Sequence, residues 1–391
     1  MNITDFSVFK GICDGTLPSF VDEEGLVKAV RPYAFVGCST LSCVDLPECL
    51  SIGESAFYST AASGPLTDLS LPKCVSIGSS AFCRQGIVDL RLPQCTTLSK
   101  GAFYACGSLG WASLPEATYL PEYCFAYCSR LSGVDAPHCT TIYSSAFYNC
   151  NALSYINVSA DVDRLFDYTF AYCSQLTSVS FPNVSYLMAF VFAECINLES
   201  VYLPSCTQIS QGAFTGCVYL REISLPSCEY IYGLGGASGA FQGCTLLSSV
   251  SLPMCAQIGS AAFRGCIALS EISLPFCYNI MSSAFYGCMN LVSISIPMCL
   301  SISGNAFYSC SALTSLTLPS CVDIRASAFA NCTGLSVVYI GRSSCVLGSS
   351  NAFVGTGITS TTGSIYVPAA YVESYKTATN WAYFATQIVG Y

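Results

Sequence analysis

Charge is scarce in this sequence: Asp, Glu, Lys and Arg together make up 9% of 391 residues. What charge there is leans acidic, with a net -9 and a pI near 4.6. A nucleic-acid partner needs a basic face or stripe, and none is legible, so no nucleic-acid partner is expected. Histidine is nearly absent. His138 is the single one, so any Cys–His or Ser–His mechanism would have to run through it. It stands in the phrase APHC, at a place where comparable phrases carry Glu48, Lys73, Gln94 or Ser205, which reads as a variable surface slot. The sequence has no G-x-S-x-G, no phosphate loop and no H-E-x-x-H. Long apolar runs are missing as well. Although 52% of residues are hydrophobic, no window approaches the ~18–20 unbroken apolar residues of a spanning helix, so no transmembrane segment is expected. The first residues, MNITDFSVFKGICDG, have neither a basic n-region nor an apolar h-region, and read as carrying no signal peptide.

What the sequence has in plenty is one phrase, written again and again. The stretch AFRGCIALSEISLPFCYNIMSSAFYGC, from Ala262 to Cys288, begins and ends on Ala-Phe-x-Gly-Cys, and its phenylalanines, Phe263 and Phe285, stand 22 residues apart. Fifteen such marker phenylalanines run from Phe35 to Phe353. Six residues after most of them comes L-x-x-L-x-L-P, as in Leu269, Ile272, Leu274 and Pro275, or with Val at the second place in Leu41, Val44, Leu46 and Pro47. A branched apolar residue then precedes the next marker by five positions, as Ile258 and Ile280 do.

The phrase has a physical reading. Its last two apolar residues are two apart, the strand period, so they share a face and the residues between them point away. Proline ends the strand because it offers no N–H to a ladder. The Ile-x-x-x-x-Phe segment returns across the other side of the coil, and Gly-Cys makes a tight corner. A single unit cannot bury its own apolar face, whereas stacked units can. With neighbouring strands ~4.8 Å apart, fifteen coils would give a rod or arc on the order of 70 Å long. Two insertions lengthen individual coils without breaking phase, at residues 59–65 and at the glycine-rich 233–239, the second reading as a mobile loop. The phrase fails at both ends. Residues 1–28, with Phe6, Phe9 and Ile12 at helical spacing, read as an amphipathic N-terminal cap. In residues 361–391, Pro368 suits a first helical turn, and Tyr371, Tyr375 and Ala378 follow at helical spacing, which reads as a closing cap.

Cysteine is the other abundance, with 27 residues. Twelve stand three residues after a marker phenylalanine, and ten stand two after the proline or its equivalent. Zinc needs four ligands converging on a point, whereas these thiols are spaced a whole coil apart in a line, so no metal and no cofactor is expected. Parallel side chains in adjacent coils bridge poorly, which counts against a disulfide ladder. The expectation is therefore buried free thiols filling the coil corners.

L-x-x-L-x-L-P followed by I-x-x-x-A-F-x-x-C resembles the BspA-like leucine-rich repeat, which is found in surface proteins of host-associated anaerobic bacteria and some protists. The likeness covers residues 29–360. It implies an α/β-type repeat solenoid, a leucine-rich-repeat right-handed superhelix or arc of about 15 coils of about 22 residues, with short strands on one face and helical caps at 1–28 and 361–391. It also implies adhesion: a non-catalytic protein that recognises a host-derived protein or glycan, outside the cell or at the cell surface. The ending VPAAYVESYKTATNW is similar to tails of bacterial and prophage-encoded repeat proteins. That gives a second reading, a phage-particle component that carries host recognition. The contact residues are expected among outward strand positions, where charge and aromatics mix: Asp89, Arg91, Trp111, Asp135 and Tyr155, against small hydroxyls at Ser251, Ser273, Ser295 and Thr317.

Overall fold

In a computed structural model of the chain, residues 19–233, 238–360 and 363–391 are described. The expected N-terminal helical spacing at Phe6, Phe9 and Ile12, and most of the glycine-rich 233–239 insertion, lie outside them. The chain divides into two compact units, Met1–Thr177 with Glu194–Ile196, and Ser178–Ala193 with Asn197–Tyr391. Both are built from the same coil.

One coil of the second unit shows how sequence becomes structure. Leu269, Ile272 and Leu274 are all buried, and the strand Glu271–Ser273 alternates exposed, buried, exposed. It pairs in parallel with Ser293–Ser295, in register at 22 residues. After Pro275 the chain returns through a second strand of two residues, Asn279–Ile280, with Ile280 buried. This strand pairs on one side with Gln257–Ile258 and on the other with Ser301–Ile302. Strands therefore line both sides of the coil, where the sequence reading placed them on one. Over the described residues the result is a parallel-strand solenoid with very little helix.

The third side is a corner built around the marker phenylalanine. The residues two before and two after it take left-handed backbone angles, as at Ser283 (φ 58°) and Gly287 (φ 71°), or Ser145 (φ 57°) and Asn149 (φ 59°). The two reversals drive the phenylalanine inward. Phe263 and Phe285 are fully buried, with ring centroids 5.3 Å apart and planes 10° from parallel. The same stack runs from Phe35 to Phe170 in the first unit and from Phe192 to Phe353 in the second.

The thiols have a defined role in this corner. The Cys288 Sγ donates to the Phe263 carbonyl of the preceding coil at 3.1 Å, and Cys310 donates to Phe285 at 3.2 Å. The same bond recurs at Cys106, Cys128 and Cys150 in the first unit. The second series donates within its own coil, as Cys277 does to the Asn279 carbonyl at 3.3 Å. A buried free cysteine thus fills a small apolar space and serves as a weak donor at once. Of the described cysteines, 25 are free and all but Cys43 are buried. The expectation of free thiols fails at one ladder position: Cys38 is disulfide-bonded.

The C-terminal cap is less helical than expected, and the described part of the N-terminal one begins with a strand. Before the first marker, Ser19–Val21 is a strand paired with Cys43–Asp45, and its Phe20 packs on Phe35 at 5.3 Å. At the other end, Ser364–Val367 pairs with Val337–Ile340 and with Ile388–Gly390. Among the described residues of this end, helix is confined to Val372–Thr377 and short 3-10 turns, one of them entered from Pro368. The reason lies in what the last coil exposes. Its strands offer unpaired backbone groups, which a further strand satisfies and a helix would not. Buried Trp381, whose Nε1 donates to the Cys345 carbonyl at 2.7 Å, and Phe384 then cover the face of Phe353.

Candidate functional site

The five candidate residues stand on four adjacent parallel strands of the first unit: Asp89–Arg91, Trp111–Ser113, Gly133–Ala136 and Tyr155–Val158. Their middle residues, Leu90, Ala112 and Val134, are buried, which turns the flanking positions outward in two rows. One row runs Asp89, Trp111, Gly133, Tyr155; the other runs Arg91, Ser113, Asp135, Asn157.

In the first row the structure brings Trp111 and Tyr155 together, although a whole coil separates them. Their rings stack with centroids 5.6 Å apart and planes 22° from parallel. Gly133 permits this, since it lies between them in register and a Cβ there would stand 2.2 Å from Trp111 Cζ3. The two rings lean over the glycine and bury it, yet they stay in contact with solvent, Trp111 being 37% and Tyr155 50% exposed. The second row is polar. Asn157 Nδ2 donates to Asp135 Oδ1 at 2.6 Å, and across the strand Arg91 Nε pairs with Asp89 Oδ2 at 2.8 Å. That ion pair is well exposed, so it contributes little stability and acts mainly to orient its groups.

Beside these residues lies an open cleft of ≈ 670 Å³ whose lining includes Asp45, Asp68, Asp89, Arg91 and Cys43. Thr67 Oγ1 donates to Asp68 Oδ2 at 2.8 Å. Among the described free cysteines Cys43 is the half-buried one, and burial first, then the carboxylates of Asp68 and Asp45, push its pKa up. It stays protonated near neutral pH and lacks the thiolate character of a nucleophile. Among the described residues no group of three or more His, Cys, Asp or Glu is arranged to hold a metal ion. The surface can offer stacking area, carboxylates and one guanidinium, a set suited to recognition.

Two of these features were not foreseen from the sequence: the part played by Gly133, and the tether from Asn157. Both were open to inspection, because Trp111, Gly133 and Tyr155 follow one another at intervals of 22 residues, as do Asp135 and Asn157. In the second unit the corresponding positions form a groove of ≈ 470 Å³ lined by Ser249, Glu271, Ser273, Ser293 and Ser295. Beyond the hydroxyls the sequence reading stressed, this unit also presents Tyr202, 57% exposed, and a stacked pair, Tyr339 on Tyr366, at 4.6 Å. His138 is exposed, as its variable slot suggested.

Comparison with known families and structures agrees with this architecture. A family model described as BspA type leucine rich repeat region matches residues 9–132, 96–221 and 237–360. Among solved structures, the chain is similar to a leucine-rich repeat protein from Bacteroides ovatus, with a TM-score of 0.57 and 20% identity over 97% of this chain and 85% of that one. It is also similar to a leucine rich cell surface protein from Faecalibacterium prausnitzii, with a TM-score of 0.43 and 21% identity over 81% and 83% of the two chains. At 20% identity the likeness to the Bacteroides ovatus protein is one of fold. No curated protein matches the sequence significantly.

Proposed function

The chain belongs to the BspA-type leucine-rich repeat family, and from that premise we propose that it is a non-catalytic binding protein of the cell exterior that recognises a host protein or glycan through the outward strand face of its first unit. The observation that carries this reading is the Trp111–Tyr155 stack over Gly133, flanked by Asp89, Arg91 and Asp135. Interface energy concentrates in a few aromatic and arginine anchors held rigid before binding. Two rings that already support each other lose little freedom on contact, and the adjacent carboxylates and guanidinium supply direction. A fold similar to bacterial leucine-rich repeat proteins is consistent with placement outside the cell.

The test begins with the purified chain on an array of host matrix proteins and glycans. Against the ligand so found, Trp111→Ala should weaken binding by about 2 kcal/mol or more, while Ser273→Ala in the second unit should change it by well under about 1 kcal/mol. Unchanged affinity in a Trp111→Ala protein with a normal thermal melt would refute the assignment of the face.

A further inference from the structure

The cleft beside Asp89 is more particular about its occupant than the strand face as a whole. It opens over the strands Cys43–Asp45, Asp68–Ser70 and Asp89–Arg91, with a volume of ≈ 670 Å³. Asp68–Ser70 ends a three-stranded sheet there, and Asp89–Arg91 begins another. The groove of the second unit lies over the same kind of break, between Ser249–Ser251 and Glu271–Ser273. The backbone is alike in the two places, so the lining distinguishes them. In the second unit Glu271 is the one charged residue of the lining. In the first, Asp45, Asp68 and Asp89 stand against a single cation, Arg91.

That cation is already held, since Arg91 Nε lies 2.8 Å from Asp89 Oδ2. Among the described residues, Asp45 and Asp68 have no cationic partner within ion-pair distance. Asp68 Oδ2 accepts only from a neutral donor, the Thr67 hydroxyl. Lys73, next to Pro72 on the rim, is held by Glu48, which also pairs with Lys28. Exposed Glu23 and Glu24 follow the strand paired with Cys43–Asp45 and add to the negative field. Between the carboxylates the walls are apolar: Val88 is 55% exposed, and Leu69, Pro72 and Pro93 also reach solvent. Carboxylates over open apolar walls match the two halves of a lysine or arginine side chain, whose stem prefers apolar contact while its charged head stays wet. A chain of net charge -9 also draws a basic partner toward such a face. We propose that this cleft docks a basic segment of a partner protein, with lysine or arginine heads between Asp45, Asp68 and Asp89 and their stems on Val88, Leu69 and the two prolines. The proposal rests on the strand face of the first unit being the binding surface, and it makes the partner a protein. Asp89 is in register with Trp111, so the segment leads on to the Trp111–Tyr155 platform.

The experiment is fluorescence anisotropy of a labelled nonalysine peptide with the whole chain. A basic peptide is attracted to any acidic protein, so two variants lose the same charge in different places. One carries Asp45→Asn and Asp68→Asn inside the cleft; the other carries Glu116→Gln and Glu199→Gln, both exposed and outside its lining. The wild-type chain should bind saturably. The cleft variant should lose roughly tenfold in affinity, the upper scale of two exposed ion pairs, and the control less than about twofold, since remote charges are screened. Arg91→Gln removes the competing cation and frees Asp89, so it should tighten binding several-fold, and it gives a separate reading should the cleft variant melt early. No saturable binding by the wild-type chain, equal losses in the two double variants, or weaker binding by Arg91→Gln would overturn the proposal. A glycan bound in a Trp111-dependent way by a chain that ignores nonalysine would overturn it as well, and would leave the strand face itself assigned.

Discussion

Changing Gly133 to alanine tests the aromatic platform without removing any aromatic. Gly133 sits in ordinary strand backbone, so alanine meets no conformational barrier there and should bring roughly 0.5–1 kcal/mol by restricting the unfolded chain. Its methyl, however, would stand 2.2 Å from Trp111 Cζ3 and 2.8 Å from Cε3. Trp111 has to swing outward, and its stack on Tyr155 is lost. Such a pair contributes about 0.5–1.5 kcal/mol beyond the area it covers. The two effects nearly offset, so the melting temperature should move by less than ~4 °C. The rings should nevertheless report a large change. The chain has two tryptophans, and Trp381 is 1% exposed, so iodide or acrylamide quenching reads Trp111. Gly133→Ala should raise the quenching and lower the near-ultraviolet circular dichroism, and Tyr155→Ala should do likewise. A Gly133→Ala protein with wild-type quenching and near-ultraviolet signal would show that the pair does not lean over the glycine, and the pre-formed platform would fall with it.

Phe263→Ala empties a fully buried site between Phe241 and Phe285, 5.2 and 5.3 Å away. The cavity costs about 3–5 kcal/mol and the two lost stacks add to it, so urea denaturation should show a loss near the top of that range; a loss below about 2 kcal/mol would contradict the ladder. Thiol titration of the denatured, unreduced protein should count about 25 reactive cysteines of 27, and in the native protein half-buried Cys43 should react first; ten or more disulfides by mass spectrometry would rule out the thiol ladder. Stability should also fall in alkali. Burial lifts Cys95 and Cys206 to about 11 and Cys74 and Cys277 to about 12, from an ordinary 9.0. The unfolded chain therefore releases these protons first, so stability is full below pH 9 and is lost as pH rises toward 11–12, by up to ~1.36 kcal/mol per pH unit for each thiol. A urea midpoint that stays level from pH 7 to ~10.5 would contradict that burial.

The coil itself was legible in the sequence. Each buried position recurs at a fixed interval, and the interval is short enough to be read by eye. Leu269, Ile272, Leu274, Ile280 and Phe285 were assigned inward from spacing alone, and all five are buried. Free, buried thiols followed from the same one-per-coil logic, with Cys38 the exception. A mainly helical C-terminal cap did not follow. Tyr371, Tyr375 and Ala378 have helical spacing, yet only Val372–Thr377 is α-helix, because the end of a sheet calls for another strand, here Ser364–Val367.

By itself the sequence determined the period, and with it the inward residues, the strand register and the family. A repeat of 22 residues sets which side chains lie above one another, since each coil can bury its apolar face only against the next in phase. The tertiary structure decided which outward residues meet. Trp111 reaches Tyr155 across a coil because Gly133 leaves room, and Asp89 holds Arg91 across one strand. Tyr123 and Tyr127 join Tyr104 and Tyr148 in one ridge because two left-handed residues turn each corner. Register is carried by burial, which repeats in every coil; contacts between exposed side chains depend on rotamer, local backbone and the size of the neighbour, and those are settled only once the coils are stacked.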